Sequence, residues 1–169
     1  MTFYYDTTAP TFNWIVDNKT QAQSKEVRLE TSEEIQLPDE GWSLKGEENG
    51  VFVYVKTFYA NWKDKNFTVT DLAGNVSEPQ FVEVKRIDNS RPIVVELTQD
   101  ITDWTNKDVT VTIKTSTDCV APEGWKQVNK RTFTKVFNAN GEYSVTLTSV
   151  TGVTGDAHLF SITNIDKEA

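Results

Sequence analysis

The sequence predicts an all-β fold made of two tandem β-sandwich domains, residues 1–88 and residues 89–169. Three observations support this prediction. Apolar and polar residues alternate with a period of two in nearly every patterned stretch, which is typical of half-buried strands. Asn, Asp and Gly residues of the kind that form turns separate these stretches. The second half of the chain also repeats motifs of the first half in the same order.

Seven short strands are predicted in the first copy, and no amphipathic helix is found. The alternation is clearest where Val27 and Leu29 share one face, and Val109, Val111 and Ile113 alternate similarly in the second copy. Seven strands in one such unit indicate a two-sheet sandwich of immunoglobulin-like type, with a small barrel as the alternative. The predicted strands are 11–16, 25–31, 34–37, 42–45, 51–58, 66–70 and 80–85.

Five collinear matches define the repeat, and their order is the same in both copies. The offset between matched positions stays near 80 residues and changes only by loop-sized gaps, so the two halves are read as copies of one unit. The matches are Asp6-x-x-x-Pro10 with Asp88-x-x-x-Pro92, Lys25–Leu29 with Lys107–Val111, Gly41-Trp42 with Gly124-Trp125, Lys56–Asn61 with Lys135–Asn140, and Ile87-Asp88 with Ile165-Asp166.

The boundaries of the copies bear on whether the chain is complete. The pair Ile165-Asp166 close to the last residue repeats the pair Ile87-Asp88 that precedes the second copy. Residues 1–6 lack the basic and apolar segments of a signal peptide. We therefore expect the chain to be a segment of a longer protein, with its two domains joined near residues 88–91.

These motifs resemble the bacterial immunoglobulin-like repeats of secreted and cell-surface proteins. The residues that carry the resemblance occur nearly throughout each copy, although in the second copy Ser149 replaces Asp71. The resemblance implies spacer or stalk modules of adhesins and cell-wall proteins. The matching residues are Ser32–Gln36, Gly41-Trp42, Val69-Thr-Asp71-Leu-Ala-Gly74-Asn75, Ile87-Asp88 and Pro92.

Composition and charge exclude several classes of function. A net charge of −8 would repel a phosphate backbone, so nucleic acid is not expected as a partner. No run of about 18 apolar residues is present, so no membrane insertion is expected. The single histidine, His158, and the single cysteine, Cys119, leave little for acid-base or nucleophilic chemistry. We therefore expect no enzyme activity, no catalytic residues and no cofactor.

Asp6 and Asp71 are the candidate metal ligands. In the predicted sandwich, the N-terminal segment and the last hairpin loop lie at the same end, so these carboxylates could converge on Ca²⁺ with backbone carbonyls. In the second copy Asp88 would meet Ser149, which lacks a carboxylate. The alternative is an Asx-turn, in which Asp71 caps its own hairpin while Gly74 takes a positive φ. No metal site is assigned from the sequence.

Five tryptophans raise the possibility of carbohydrate binding by ring stacking. Trp42 and Trp125 occupy one repeat position and are expected to pack inside. Trp62 and Trp104 have no repeat equivalent and flank polar stretches, so they are the better candidates for an exposed contact, although ordinary packing is the expectation for both. A Lys–Asn crosslink is a further possibility, with Asp118 or Glu34 as the assisting acid.

The function expected from the sequence is therefore structural. The chain would act as spacer repeats of a larger bacterial cell-surface or secreted protein, present a distal domain and contact neighbouring repeats. Two alternatives remain open: a module that binds a glycan or host protein, and an accessory domain of a secreted hydrolase or a phage tail protein. An exposed aromatic patch at Trp62 or Trp104 would favour binding.

Overall fold

The computed structural model describes residues 5–168, and the chain divides into two compact units between Asp88 and Asn89. No helix occurs in this part of the chain, so the expected all-β class is confirmed. Each unit contains six strands. In unit 1 these are β1 (Phe12–Ile15), β2 (Lys25–Thr31), β3 (Ser43–Glu48), β4 (Val51–Phe58), β5 (Trp62–Phe67) and β6 (Gln80–Val84).

Unit 2 repeats this topology strand for strand. Its strands are β7 (Val94–Gln99), β8 (Val109–Thr115), β9 (Lys126–Asn129), β10 (Thr132–Phe137), β11 (Gly141–Val145) and β12 (His158–Ile162). The four-stranded sheets have the antiparallel orders β1-β2-β4-β3 and β7-β8-β10-β9, and β5-β6 and β11-β12 form two-stranded sheets. Every strand ladder within residues 5–168 stays inside one unit.

Each unit has its own hydrophobic core, filled from both of its sheets. In unit 1, Val27 and Leu29 of β2 meet Val82 and Val84 of β6, all at most 3% exposed. The core of unit 2 is built in the same way and shares no residue with the first. Two sheets that bury a common core form a sandwich-like arrangement.

The period-two pattern explains β2 and β8, which bury every second side chain along their length. Segments 25–31 and 51–58 are observed with the predicted bounds, although β4 does not alternate in burial. The β3–β4 hairpin turns at Asn49 and Gly50, with φ angles of 52° and 84°. Two successive positive φ angles are the signature of the tight hairpin turns that Asn-Gly favours.

Three sequence expectations were wrong. Unit 1 has six strands rather than seven, and segment 66–70 is not one of them, because β5 ends at Phe67 and beyond it only Thr70 of this segment pairs, in an isolated bridge with Val76. Segment 34–37 is not a strand, because only Ile35 pairs, in an isolated bridge with Asp71. The match of Lys25 with Lys107 was displaced by two residues. Lys25 pairs with Phe58, and Val109 pairs with Phe137, so Lys25 is equivalent to Val109. A shift of two residues keeps every side chain on its own face, and alternation therefore could not detect it.

Candidate carboxylate site

Three carboxylates meet at one end of unit 1. Asp6, Glu33 and Asp71 each place one oxygen within 4.8 Å of the other two. They come from the N-terminal segment, the turn after β2 and the loop between β5 and β6. The bridge between Ile35 and Asp71 brings two of these segments together, and the Thr31 hydroxyl donates to the Glu33 carbonyl at 2.6 Å.

Asp71 is the buried centre of this cluster, with 1% of its surface exposed. Its Oδ1 accepts the backbone N–H groups of Ala73 and Asn75 at 3.0 and 2.8 Å, and its Oδ2 accepts the Asn75 side chain at 2.9 Å. Gly74 has a φ of 96°, so the expected Asx-turn is observed. The Asn75 amide also donates to the Asp6 carbonyl at 2.9 Å, which attaches the N-terminal segment to this turn.

Within the cluster, the pKa values of Glu33 and Asp71 are shifted in opposite directions. A hydrogen bond to Asp71, followed by burial and the charge of Asp6, raises the pKa of Glu33 from 4.5 to about 7. Burial alone would raise the pKa of Asp71, but hydrogen bonds from Asn75 and Glu33 outweigh it and lower that pKa to about 2. Glu33 is therefore the group that carries a proton near neutral pH, and Asp71 remains ionised.

Unit 2 shows what the turn itself requires. Ser149 replaces Asp71, and its hydroxyl accepts the Val153 N–H at 3.0 Å as Asp71 accepts that of Asn75. The backbone bond from residue 149 to residue 153 is also kept, at 2.8 Å. Thr117 stands where unit 1 has Glu33, since Cys119 and Ser149 pair as Ile35 and Asp71 do. The turn needs one oxygen acceptor, so the carboxylate cluster is an addition specific to unit 1.

Chemically, the cluster can hold one positive charge among three acids. That charge is a proton on Glu33 or a hard cation, for which carboxylate oxygens are the usual ligands. The predicted convergence of Asp6 and Asp71 is observed, whereas the participation of Glu33 was missed. The available signal was the Ser32-Glu33-Glu34 motif, but placing Glu33 requires the pairing of Ile35 with Asp71.

The stability of unit 1 should depend on pH through Glu33. A raised pKa means that the folded unit binds this proton more tightly than the unfolded chain. Its contribution is complete below pH 4.5 and is lost as the pH rises through about 7. We expect unit 1 to melt at a lower temperature at pH 8 than at pH 5, and Glu33→Gln to remove most of this difference. Calorimetry with EDTA, which excludes competing cations, measures both; equal pH dependence in the variant would contradict the assignment.

Asp71 should be replaceable by serine but not by alanine. Asp71→Ser keeps an acceptor for the Asn75 N–H, as Ser149 does in unit 2, whereas Asp71→Ala leaves that N–H and the N–H of Ala73 without their acceptor. We expect the alanine variant to lower the melting temperature of unit 1 further than the serine variant. Equal losses would show that the carboxylate, rather than the cap, stabilises this loop.

The tryptophans divide as their repeat positions suggested, with one exception. Trp42 and Trp125 are buried, at 3% and 8% exposure. Trp62 is 38% exposed, but its ring packs within 5.9 Å of Trp14 and 5.5 Å of Phe58, measured between ring centroids. Trp104 is 73% exposed and has no aromatic ring contact within residues 5–168. Trp104 is thus the exposed tryptophan of the pair, and Trp62 belongs to a packed aromatic cluster.

The remaining candidate residues have structural surroundings. Cys119 is buried in the core of unit 2, and its Sγ lies 3.3 Å from the Thr117 carbonyl. His158 begins β12 and pairs with Val145. Asp118, a candidate acid for a crosslink, pairs with Arg131 at 2.8 Å. The lysine buried in unit 1 is Lys25, whose ammonium donates to the Asp17 carbonyl; burial lowers its pKa.

Comparisons with known proteins provide no relative from which a role could be transferred. No family model, no curated protein and no solved structure matches the chain. Within residues 5–168 the structure contains no helix that is long and apolar enough to cross a membrane.

Proposed function

We propose that this chain is a non-catalytic spacer, formed by two immunoglobulin-like repeats of a larger bacterial cell-surface or secreted protein. The observation that carries the proposal is the duplication of one complete unit. Each copy has the same strand order and encloses a separate core, so copies can be added in series without rebuilding the fold. Neighbouring repeats are the partners of such a chain, and its place is outside the cell.

The gene around these 169 codons tests this proposal directly. We expect further copies that begin with Asp-x-x-x-Pro, a secretion signal upstream and a domain of different composition at one end. A gene that encodes this chain alone, without an export signal, would contradict the spacer function. The spacer role is then tested by expressing the full protein in the source cell with and without residues 89–169. The deletion should bring the distal domain closer to the envelope and reduce the binding of an antibody to that domain.

Trp104 favours a second candidate function, the binding of a glycan or a host protein. The Asn164 side chain donates to the carbonyls of Ile101 and Asp103, both at 2.9 Å, so Trp104 lies on a braced loop. The Thr105 N–H and carbonyl are bonded to Asn164 and Asp166. Exposed indole rings stack on sugars and anchor protein interfaces. A glycan array and host-protein capture compare wild type with Trp104→Ala; binding that survives the substitution would reject this site.

A further inference from the structure

The C-terminal end of each unit is held by one asparagine side chain. In unit 1, Asn61 Oδ1 accepts the Ile87 N–H at 2.8 Å. In unit 2, Asn140 Oδ1 accepts the Ile165 N–H at 2.9 Å, and Asn140 Nδ2 donates to the Ile165 carbonyl at 2.8 Å. Both asparagines stand immediately before the strand that pairs with the last strand of their unit. In each unit this contact joins an asparagine and an isoleucine that come from two of the sequence matches.

The same end is held a second time by the connection between the first two strands of the unit. The Ala22 N–H donates to the Arg86 carbonyl at 3.1 Å, and the Asp88 N–H donates to the Ala22 carbonyl at 2.9 Å. Unit 2 repeats both bonds at 2.9 and 2.7 Å, from Thr105 to Asn164 and from Asp166 to Thr105. Both pairs are parallel bridges. The residues that follow the last strand of each unit are therefore hydrogen-bonded to two separate segments, the one that contains the asparagine and the one between the first two strands.

These bonds lie where tension along the chain would be applied first. In a simple antiparallel hairpin, a force on the free end of one strand separates the ladder bonds one after another. A residue bonded on two sides, with one partner parallel to it, instead shares the load among several bonds at once. Ile165 also sits in the core of unit 2, at 7% exposure, so its displacement exposes apolar surface.

We propose that Asn61 and Asn140 are force-bearing clamps that delay the unfolding of each unit when the chain is pulled. This proposal rests on the spacer function, because a spacer between an envelope and a distal domain carries tension. The two copies differ at Asp71 and Ser149 and at Lys25 and Val109, yet both keep the clamp. Asn61 supplies an acceptor to the Ile87 N–H, and Asn140 supplies both an acceptor and a donor to Ile165 from one short side chain.

Single-molecule stretching of the full chain between handles tests the clamp. Wild type should give two unfolding events per molecule, one for each unit. Asn140→Ala removes two hydrogen bonds, so one of the two events should occur about tenfold faster at a fixed force while the other is unchanged. Asn140→Asp keeps an acceptor for the Ile165 N–H but loses the donor, and should fall between wild type and the alanine variant.

A matched variant separates mechanical from general stability. Asn129, the last residue of β9, also accepts a backbone N–H, that of Arg131 at 2.9 Å, but lies away from the C-terminal end of unit 2. Asn129→Ala should leave the unfolding rate under force unchanged. Equal effects of Asn129→Ala and Asn140→Ala, or no effect of Asn140→Ala, would overturn the clamp. A single wild-type unfolding event would instead contradict the independence of the two units on which the spacer function depends.

Discussion

Phe133→Ala should lower the melting temperature of unit 2 sharply and leave that of unit 1 unchanged. Phe133 is fully buried in β10, and loss of a buried phenylalanine ring typically costs about 3–5 kcal/mol. A domain of this size shifts its melting temperature by about 4–8 °C for each kcal/mol. We therefore expect calorimetry to show one transition lowered by at least about 12 °C and the other unchanged.

The equivalent substitution in unit 1 provides the mirror experiment. Tyr54 occupies the position of Phe133, and its hydroxyl additionally accepts the Ile35 N–H at 2.9 Å. Tyr54→Ala should lower the other transition and leave that of unit 2 in place. If either substitution moved both transitions together, the two cores would be energetically coupled, and the description of two independent units would be wrong.

Gly155→Ala should displace the N-terminal segment of unit 2. A Cβ atom at residue 155 would lie 2.2 Å from the Pro92 carbonyl oxygen, which is backbone and cannot rotate away. Pro92 is buried, so the strain reaches the start of the unit. Overpacking of this kind typically costs about 1–3 kcal/mol. We expect a lower melting temperature for unit 2, with changed NMR shifts at Pro92 and Ile93.

Gly141→Ala is the matched control in the same unit. Its Cβ would lie 3.4 Å from the Tyr143 ring, which is close to an ordinary contact, and its backbone needs no positive φ. Such a replacement usually reduces the entropy of the unfolded chain without strain. We expect little change in stability or a small gain. A loss as large as that of Gly155→Ala would mean that the cost comes from removing a glycine rather than from the contact with Pro92.

Local pattern was sufficient wherever one face of a strand is buried. Val27, Leu29 and their equivalents in β8 alternate strictly, and these strands lie where the pattern predicts. The pattern failed at segment 34–37, where Ile35 is the one residue that pairs. A single bridged residue produces no alternating pattern in the sequence, because its neighbours lie in turns and loops rather than on the two faces of a sheet.

The candidate carboxylate site likewise contains residues that the sequence could identify and one that it could not. Asp6 and Asp71 were identifiable as acids near turns, and their convergence followed from placing two loops at one end of a sandwich. Glu33 stands in a recognisable motif, Ser32-Glu33-Glu34, but the sequence does not show that this motif meets Asp71, because that depends on the pairing of Ile35 with Asp71. Its pKa near 7 arises from the hydrogen bond to Asp71, which exists only after two distant segments have folded together.

The sequence by itself determined that the chain is all-β and that it contains one motif twice. Both strand alternation and internal repetition can be recognised from the linear order of the residues. Tertiary structure alone decided the register between the copies, the role of Glu33 and the bonds from Asn61 and Asn140 to the end of each unit. These features depend on contacts between residues far apart in the chain. A hydrogen bond of this kind is specified by the positions of both partners in space, and no local period encodes that distance.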